Sequence, residues 1–534
     1  MNLFDPIEKH AQQNGDRIAI VSGNRRVTYG AFARNVLHLS AGLRRLGLKK
    51  GDRIALLMHN SPEMIYAFYA AMRLGLISVS LNIMFRKEEA DYIVGDCEPE
   101  VIIVHSQYME VAGTLDRVQK KQLKVVTVGH GDHVTDETVS FQSLCDSEIA
   151  GEPPTLRLGP SDEAVIGYTS GTTGFPKGAV HTHANILDHL AGMTKHLALS
   201  EQDVILAALP FFQLTAFLVH PGLACFAGAT LVVMEKFEAC SFLELASRER
   251  VTCFAAVPTI LQMLHQAAKG SEDLSSVRFG LCGGAPLSLT ARNDFERKMK
   301  FRILNCYGST ETPLMAAFER PDSPAKGASV GKISPHVRVR LVTARGTIAS
   351  SGEEGEIHLY AQNALKCYWN NPDATRNSIR DGWFATGDIG KFDEEGRLHV
   401  VDRAKDMIIR GGFNIYPAEL ERVLLQDPRI TEAVVIGEPH ERLGEVPKAY
   451  VVVADDVHIT EAEIIARSRE QLASFKVPEK VEFVPSAFFP RNALGKVLKH
   501  KLRKGSGVVA PDHIGQSNDG LYSQGERCGT TTGR

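Results

Sequence analysis

The run Tyr168-Thr169-Ser170-Gly171-Thr172-Thr173-Gly174-Phe175-Pro176-Lys177-Gly178 combines small hydroxyl residues, glycines and one lysine in a stretch that fits neither a packed helix nor a strand. Glycine opens backbone conformations closed to other residues, so successive N–H groups can converge on an anion. The Ser and Thr hydroxyls add donors, and Lys177 adds a charge able to follow a phosphate. Ala164-Val165-Ile166-Gly167-Tyr168 reads as a short buried strand before the run, and Ala179-Val180 as a second strand after it. The expectation is a strand–loop–strand hairpin over a phosphate. A Walker A loop differs, placing four residues between its glycines and Ser or Thr after the lysine. Here two residues separate Gly171 from Gly174, and Gly178 follows Lys177. A mobile Ser/Thr/Gly surface loop is the alternative, which so dense a run disfavours.

Other stretches carry chemistry further along the chain. Phe279-Gly280-Leu281-Cys282-Gly283-Gly284-Ala285-Pro286 reads as a strand running into a glycine turn, the kind of place where open α/β sheets bind ligands. Leu304-Asn305-Cys306-Tyr307-Gly308-Ser309-Thr310-Glu311-Thr312 ends the next strand, and Thr386-Gly387-Asp388 follows later. His181-Thr182-His183 invites a metal, but the pair opens a helix with no third ligand nearby, so a structural role is the reading adopted.

The elements that must position these residues alternate. Ile18-Ala19-Ile20 and Val27-Thr28-Tyr29 form a hairpin around Gly23-Asn24, followed by a helix over 29–46 and a strand over 53–58. Helix 62–75, strand 76–80, helix 87–95 and strand 100–104 continue the pattern. After residue 180 come helix 185–197, strand 204–208, helix 214–227, strand 229–234, helix 241–249, strand 252–256 and helix 258–268. Strands separated by helices imply βαβ units and a largely parallel sheet. Beyond about residue 330, short strands at 337–342, 355–360 and 398–401 suggest a small β-barrel or sheet closing the first domain, with Gly382 through Asp388 between them. The charge cluster Asp402-Arg403-Ala404-Lys405-Asp406 marks a junction. The fold class is therefore α/β: a large N-terminal domain over 1–402, with parallel-sheet subdomains and the small barrel, then an α+β domain over 403–504. Residues 505–534 lose hydrophobic pattern and read as a disordered tail.

Composition bounds the partners. A chain of 534 residues exceeds one hydrophobic core. A net charge of −3 gives no electrostatic footprint for nucleic acid or an anionic membrane. Nine cysteines stand singly, without a C-x-x-C pair, which points to reduced thiols in a cytoplasmic enzyme. The N-terminus shows no basic n-region or apolar h-region of a signal peptide. Val204 to Met234 lacks charge over a length that spans a bilayer, but Pro210, Gln213, His220, Pro221, Gly222 and Gly228 interrupt it, so buried elements are expected there.

Together these stretches resemble the adenylate-forming superfamily, in particular its acyl-CoA synthetases, over about residues 10 to 503. Residues 168–178 are similar to the family's Y-T-S-G-T-T-G-x-P-K-G signature, Tyr307 to Glu311 to its Y-G-x-T-E, and Thr386-Gly387-Asp388 to its T-G-D. Arg403 through Glu419 is similar to the hinge and the loop after it, and Pro490-Arg491-Asn492-Ala493-Leu494-Gly495-Lys496 to P-x-x-x-x-G-K. Five motifs in the family's order leave little room for chance. The resemblance implies a ligase that makes an acyl-adenylate from a carboxylic acid and MgATP, then rotates a C-terminal lid and transfers the acyl group to CoA. It implies that Lys496 bridges carboxylate and α-phosphate, Thr310 bonds the α-phosphate and Glu311 holds Mg²⁺. Thr169, Ser170, Gly171, Thr172, Thr173, Gly174 and Lys177 would cover the outer phosphates, with Asn305, Gly308 and Ser309 also at the nucleotide. Tyr307 would stack on adenine beside Gly283, Gly284 and Ala285, and Asp388, assisted by Arg403, would take the ribose hydroxyls. Lys405 falls at the hinge, and Arg410, Gly411, Gly412 and Phe413 at the pantetheine tunnel.

Structural alternatives stand beside these roles. Lys496 taken alone is a lysine in a solvated loop, Asp388 a turn cap, Glu311 a helix N-terminal acid and Tyr307 a core residue. The chain also departs from the pattern. Gln213 stands where many CoA ligases have histidine; it can still donate a hydrogen bond but cannot titrate near neutral pH. Cys306 and Cys367 each replace a common glycine. The acyl pocket wall implied here is Phe211, Phe212, Gln213, Leu214, Thr215, Phe217, Val257, Leu314 and Met315, with no fixed positive charge. A dicarboxylate would need one, so the expected substrate is a hydrophobic monocarboxylic acid, a medium- or long-chain fatty acid first. An aryl acid, or loading of a carrier protein in place of CoA, is the alternative. A cytoplasmic monomer or homodimer is expected.

Overall fold

A computed structural model describes residues 2–503 except 130–137, 147–155, 157, 170–175, 404–405, 411–412, 441–442, 455–456, 473 and 492–494. The expected tail over 505–534 lies outside the described residues.

Two large sheets carry the N-terminal part. In the nine-stranded sheet, strands Ile18–Ser22, Thr230–Val233, Val204–Ala207, Cys253–Ala256, Phe279–Cys282 and Arg302–Gly308 run parallel in that spatial order. In the eight-stranded sheet, Glu163–Thr169, Ile77–Ser80, Arg53–Leu57, Val101–His105, Lys124–Val128 and Val139–Ser140 do the same. The strands are short and buried on both faces, every residue of Cys253–Ala256 and Phe279–Cys282 being buried. Helices cover them, as the apolar strand runs require. The opening hairpin pairs Ile18–Ser22 with Arg25–Thr28, and Thr28 caps helix Tyr29–Arg45 by accepting from the Ala31 N–H.

Two features depart from the sequence expectation, and one of its alternatives is decided. The helix expected over 214–227 is three pieces, Leu214–Phe217, a π turn over Leu218–Gly222, and Leu223–Ala227. Pro221 sits in the π turn, where the Leu223 N–H reaches back to the Leu218 carbonyl. Of the small β-barrel or sheet expected beyond residue 330, the sheet forms: Val339–Val342, Gly355–Tyr360, Trp383–Phe392 and Ile379–Arg380 lie in that order, with Leu398–Arg403 also on Trp383–Phe392. Its end strands do not pair with each other among the described residues. Thr386-Gly387-Asp388 lies inside strand Trp383–Phe392 and not between strands.

A fourth sheet orders Phe413–Ile415, Ile408–Arg410, Gly444–Val453 and Ile430–His440, with Lys480–Phe483 paired to Gly444–Val453. Its two apolar clusters draw only on residues between Ile408 and Leu502. No helix among the described residues is long and apolar enough to cross a membrane. The uncharged stretch from Val204 to Met234 instead forms buried strands and short helices, with His220 and Pro221 fully enclosed.

Burial keeps two histidines of this core neutral. His220 donates from Nδ1 to the Ala216 carbonyl (2.8 Å) and accepts the Ala255 N–H at Nε2 (3.3 Å), while His189 donates from Nε2 to the Asn363 carbonyl (3.0 Å). Burial pushes His220 down to about 4, and burial with His336 alongside pushes His189 down to about 3. An unfolded chain takes up protons on these rings as pH falls through about 6.5, which the folded chain refuses until much lower pH. Stability is therefore lost as pH falls, by about 1.4 kcal/mol per ring per pH unit in that window. The urea midpoint should drop steeply between pH 7 and pH 5; a flat profile would contradict neutral burial.

Candidate active site

The first sheet contact at the site is a close approach. Strands Glu163–Thr169 and Lys177–Thr182 form the expected antiparallel hairpin, with Tyr168 opposite Gly178 and Thr169 opposite Lys177. The loop residues Ser170, Gly171, Thr172, Thr173 and Gly174 lie outside the described residues. A Cβ on Gly167 would come within 2.8 Å of Thr310 Cγ2, so glycine is what lets the Tyr307–Glu311 segment lie on the hairpin. His181, wholly buried, donates from Nε2 to the Thr310 carbonyl at 2.8 Å. Its neighbour His183 starts helix His183–His196 and accepts the Leu3 N–H at Nδ1. The histidine pair thus has structural partners on two different elements.

Strand Arg302–Gly308 delivers Tyr307 to Asp388. The Tyr307 hydroxyl donates to Asp388 Oδ2 at 2.7 Å, and Arg403 Nε lies 2.9 Å from Asp388 Oδ1. Burial, with Asp388 beside it, pushes the Tyr307 hydroxyl well above its usual range, so it stays a donor. Asp388 projects from a bulge. Gly387 adopts φ 74°, its N–H bonds Glu356 Oε1 at 3.0 Å, and the pairing with Gly355–Tyr360 shifts at this point. Just past strand Phe279–Cys282, which neighbours Arg302–Gly308, a Cβ on Gly283 would meet Cys306 Sγ at 2.7 Å. Gly284 and Ala285 continue that turn, and a Cβ on Gly284 would contact Val257.

Asn305 is turned inward. Its side chain donates to the Ser329 carbonyl (3.0 Å) and its N–H bonds Glu319 Oε2 (2.8 Å). Glu319 pairs with Arg292 at 2.8 Å, with side chains 1% and 2% exposed. The turn after Gly308 is closed by Thr312, whose Oγ1 accepts the Ser309 N–H at 2.8 Å. Thr310 and Glu311 are half-buried on this turn, and Tyr368 donates to Glu311. Sequence reasoning missed Glu319, Arg292, Thr312 and Tyr368, because nothing local to those residues distinguishes them from core or surface groups.

The fourth sheet brings its own residues close. A Cβ on Gly495 (φ 75°) would lie 3.8 Å from Thr259 Oγ1, at the start of helix Pro258–Ala267, which follows Val257. Lys496 follows Gly495 and is half-buried. Arg410 is committed within its own unit, to Glu479 (2.7 Å) and the Phe475 carbonyl (3.1 Å). Lys405, Gly411 and Gly412 lie outside the described residues, as does the Phe413 side chain.

The expected acyl wall divides. Phe217 packs 4.1 Å from Phe68 and 5.6 Å from Phe211, both centroid distances, so Phe211 and Phe217 serve the core with helix Pro62–Leu74. Phe212 lines a narrow crevice with His59, Ile83 and Glu235. Leu214, Val257, Leu314 and Met315 are buried, whereas Gln213 and Thr215 are the half-exposed groups of 211–217.

Tyr307, Asp388 and Arg403 thus meet on one side of the Gly167–Thr310 contact, and Gly495 lies near helix Pro258–Ala267. The family described as "AMP-binding enzyme" matches residues 7–369, and "AMP-binding enzyme C-terminal domain" matches 419–496. A feruloyl-CoA synthase of Amycolatopsis sp is 35% identical over 503 residues, 93% of this chain and 97% of that protein. A long-chain-fatty-acid–CoA ligase of Mycobacterium tuberculosis is 35% identical over 494 residues, 91% and 94%. The ATP-bound crystal structure of MatB from Rhodopseudomonas palustris superposes with a TM-score of 0.87 at 30% identity, covering 95% of this chain and 99% of that one. The chain belongs to the AMP-binding enzymes and, among them, to the acid–CoA ligases. A carboxylic acid, ATP and CoA are accordingly its small-molecule partners.

Replacing Glu319 with Ala should cost about 3–5 kcal/mol, because it leaves the buried Arg292 charge uncompensated. Chemical denaturation checks this; a loss below 1 kcal/mol would mean that the pair is solvated in solution.

Proposed function

We propose that the enzyme activates a hydrophobic monocarboxylic acid, a medium- or long-chain fatty acid first, as an acyl-adenylate and passes the acyl group to CoA. The observation that carries this reading is the convergence of Tyr307, Asp388 and Arg403 with the turn bearing Thr310 and Glu311, while the Lys496 segment lies against helix Pro258–Ala267. In the first half-reaction the carboxylate attacks the α-phosphate and pyrophosphate leaves. Lys496 would neutralise the two anions as they meet, where a fixed cation acts most strongly. Thr310 would donate to the α-phosphate, and Lys177 with the 169–174 loop would hold the outer phosphates. Asp388 would take the ribose hydroxyls, with Arg403 alongside and the Tyr307 ring under the adenine.

Glu311 fits Mg²⁺. It is a half-buried carboxylate beside the proposed phosphate contacts, and this hard cation is held by few carboxylates plus substrate phosphates. When bound, Mg²⁺ would neutralise phosphate charge during the displacement. In the second half-reaction a lid over 403–504, turning about Lys405, would remove Lys496 and bring Gly411 and Gly412 to the thiol path. One contact across the junction bears on this: Asp402 accepts the Ala418 N–H at 2.8 Å. A monomer or homodimer in the cytoplasm completes the proposal; the net charge of −3 offers no attraction for nucleic acid.

An aryl acid is the second reading. Two observations favour it: the half-exposed polar pair Gln213 and Thr215, suited to a ring hydroxyl, and the feruloyl-CoA synthase relative.

ATP–pyrophosphate exchange over acids from acetate to palmitate, with benzoate, cinnamates and malonate, tests the reading. CoA is then added to each acid that responds. Exchange should peak at an aliphatic chain of medium or greater length; a peak at an aryl acid overturns the substrate and keeps the mechanism, and no exchange overturns the function. Lys496→Ala should lower exchange by about 10²–10³-fold while thioester formation from supplied acyl-adenylate persists. Equal loss in both assays would contradict the division of labour between lid faces.

A further inference from the structure

Tyr368 stands between two groups of opposite charge. Its hydroxyl donates to Glu311 Oε1 at 3.2 Å, and the Lys177 ammonium lies 5.4 Å from the centroid of its ring. That second distance is within cation–π range. Neither Lys177 nor Glu311 forms an ion pair among the described residues.

The tyrosine is itself held on several sides. Strand Cys367–Tyr368 pairs with Lys177–Thr182, the strand that begins with Lys177, placing Tyr368 opposite Ala179. The Tyr368 N–H bonds Thr375 Oγ1 at 2.9 Å. Next to it, the Trp369 N–H bonds the Gly178 carbonyl at 2.7 Å, and the Trp369 indole N–H bonds the Asp96 carbonyl at 3.1 Å. Only 7% of Tyr368 is exposed.

We propose that Tyr368 is a positioning residue that orients the Glu311 carboxylate for the metal–phosphate complex while its ring holds Lys177 apart from that carboxylate. The inference rests on the roles proposed above for Lys177 and Glu311. A direct lysine–glutamate pair would leave each group to be pulled free before it met substrate; the interposed ring keeps the cation attracted without neutralising the acid. The hydroxyl meanwhile satisfies one carboxylate oxygen, leaving the other for a ligand. Residues that orient a metal-binding carboxylate in this way change metal affinity by about 10–100-fold when removed.

Calorimetric titration of ATP into the full-length enzyme at a series of Mg²⁺ concentrations tests this without reference to turnover. Tyr368→Phe keeps the ring and removes the donor. It should raise the Mg²⁺ concentration for half-maximal ATP binding about 10-fold, while metal-free ATP affinity changes by less than about 2-fold. Tyr368→Leu removes the ring as well, and metal-free ATP affinity should then fall too. A wild-type Mg²⁺ dependence in Tyr368→Phe overturns the positioning role, and unchanged metal-free affinity in a folded Tyr368→Leu overturns the spacer role. Should Tyr368→Leu not fold, Tyr368→Phe decides. Absence of any ATP binding by the wild-type enzyme overturns the proposed function, and this inference with it.

Discussion

The approach of Thr310 to Gly167 is the contact on which the site depends. Where a side chain at position 167 would collide with Thr310 Cγ2, the bare Cα lets the end of strand Arg302–Gly308 settle on the hairpin of Glu163–Thr169 and Lys177–Thr182. The buried His181 ring then fastens the Thr310 carbonyl from the hairpin side. The two parallel sheets are thereby joined at the carboxyl ends of their strands, where α/β folds leave open backbone groups for ligands. Displacing that contact would separate the hairpin of Glu163–Thr169 and Lys177–Thr182 from the turn bearing Glu311.

Charge is managed by stand-in partners throughout the site. A buried carboxylate without donors would be costly, and Asp388 has two, Tyr307 and Arg403. Arg403 is in turn the only cation paired with Asp388 among the described residues. Lys177 faces an aromatic ring, with no acid paired to it among the described residues. Deeper in, Glu319 and Arg292 neutralise each other while Glu319 also takes the Asn305 N–H, so strand Arg302–Gly308 is pinned from behind. The result is a set of charged groups already oriented, with little reorganisation left for substrate to impose.

Element alternation was legible because short apolar runs separated by amphipathic stretches constrain the backbone locally. The opening hairpin, the phosphate hairpin, and helices such as Pro258–Ala267 sit where periodicity and turn residues place them. The exceptions have local causes with non-local outcomes. Pro221 widens one turn of the 214–227 helix, and Gly387 lets a bulge carry Asp388 within a strand that reads as a loop. Phe217 packs against Phe68, Tyr69 and Phe211, because a helix presents its residues all round and only packing chooses the face.

What the chain determined by itself was the order of strands and helices, the anion-suited composition of residues 168–178, and the motif set that identifies an adenylating ligase. These are properties of neighbouring residues, encoded by backbone propensity and residue type. Tertiary structure alone decided that His181 meets Thr310 across 129 positions, that Tyr368 meets Glu311 across 57, and that Arg410 is bound to Glu479. Such contacts depend on how strand order and sheet packing bring distant segments to within a few ångströms, and no local pattern along the chain records that geometry.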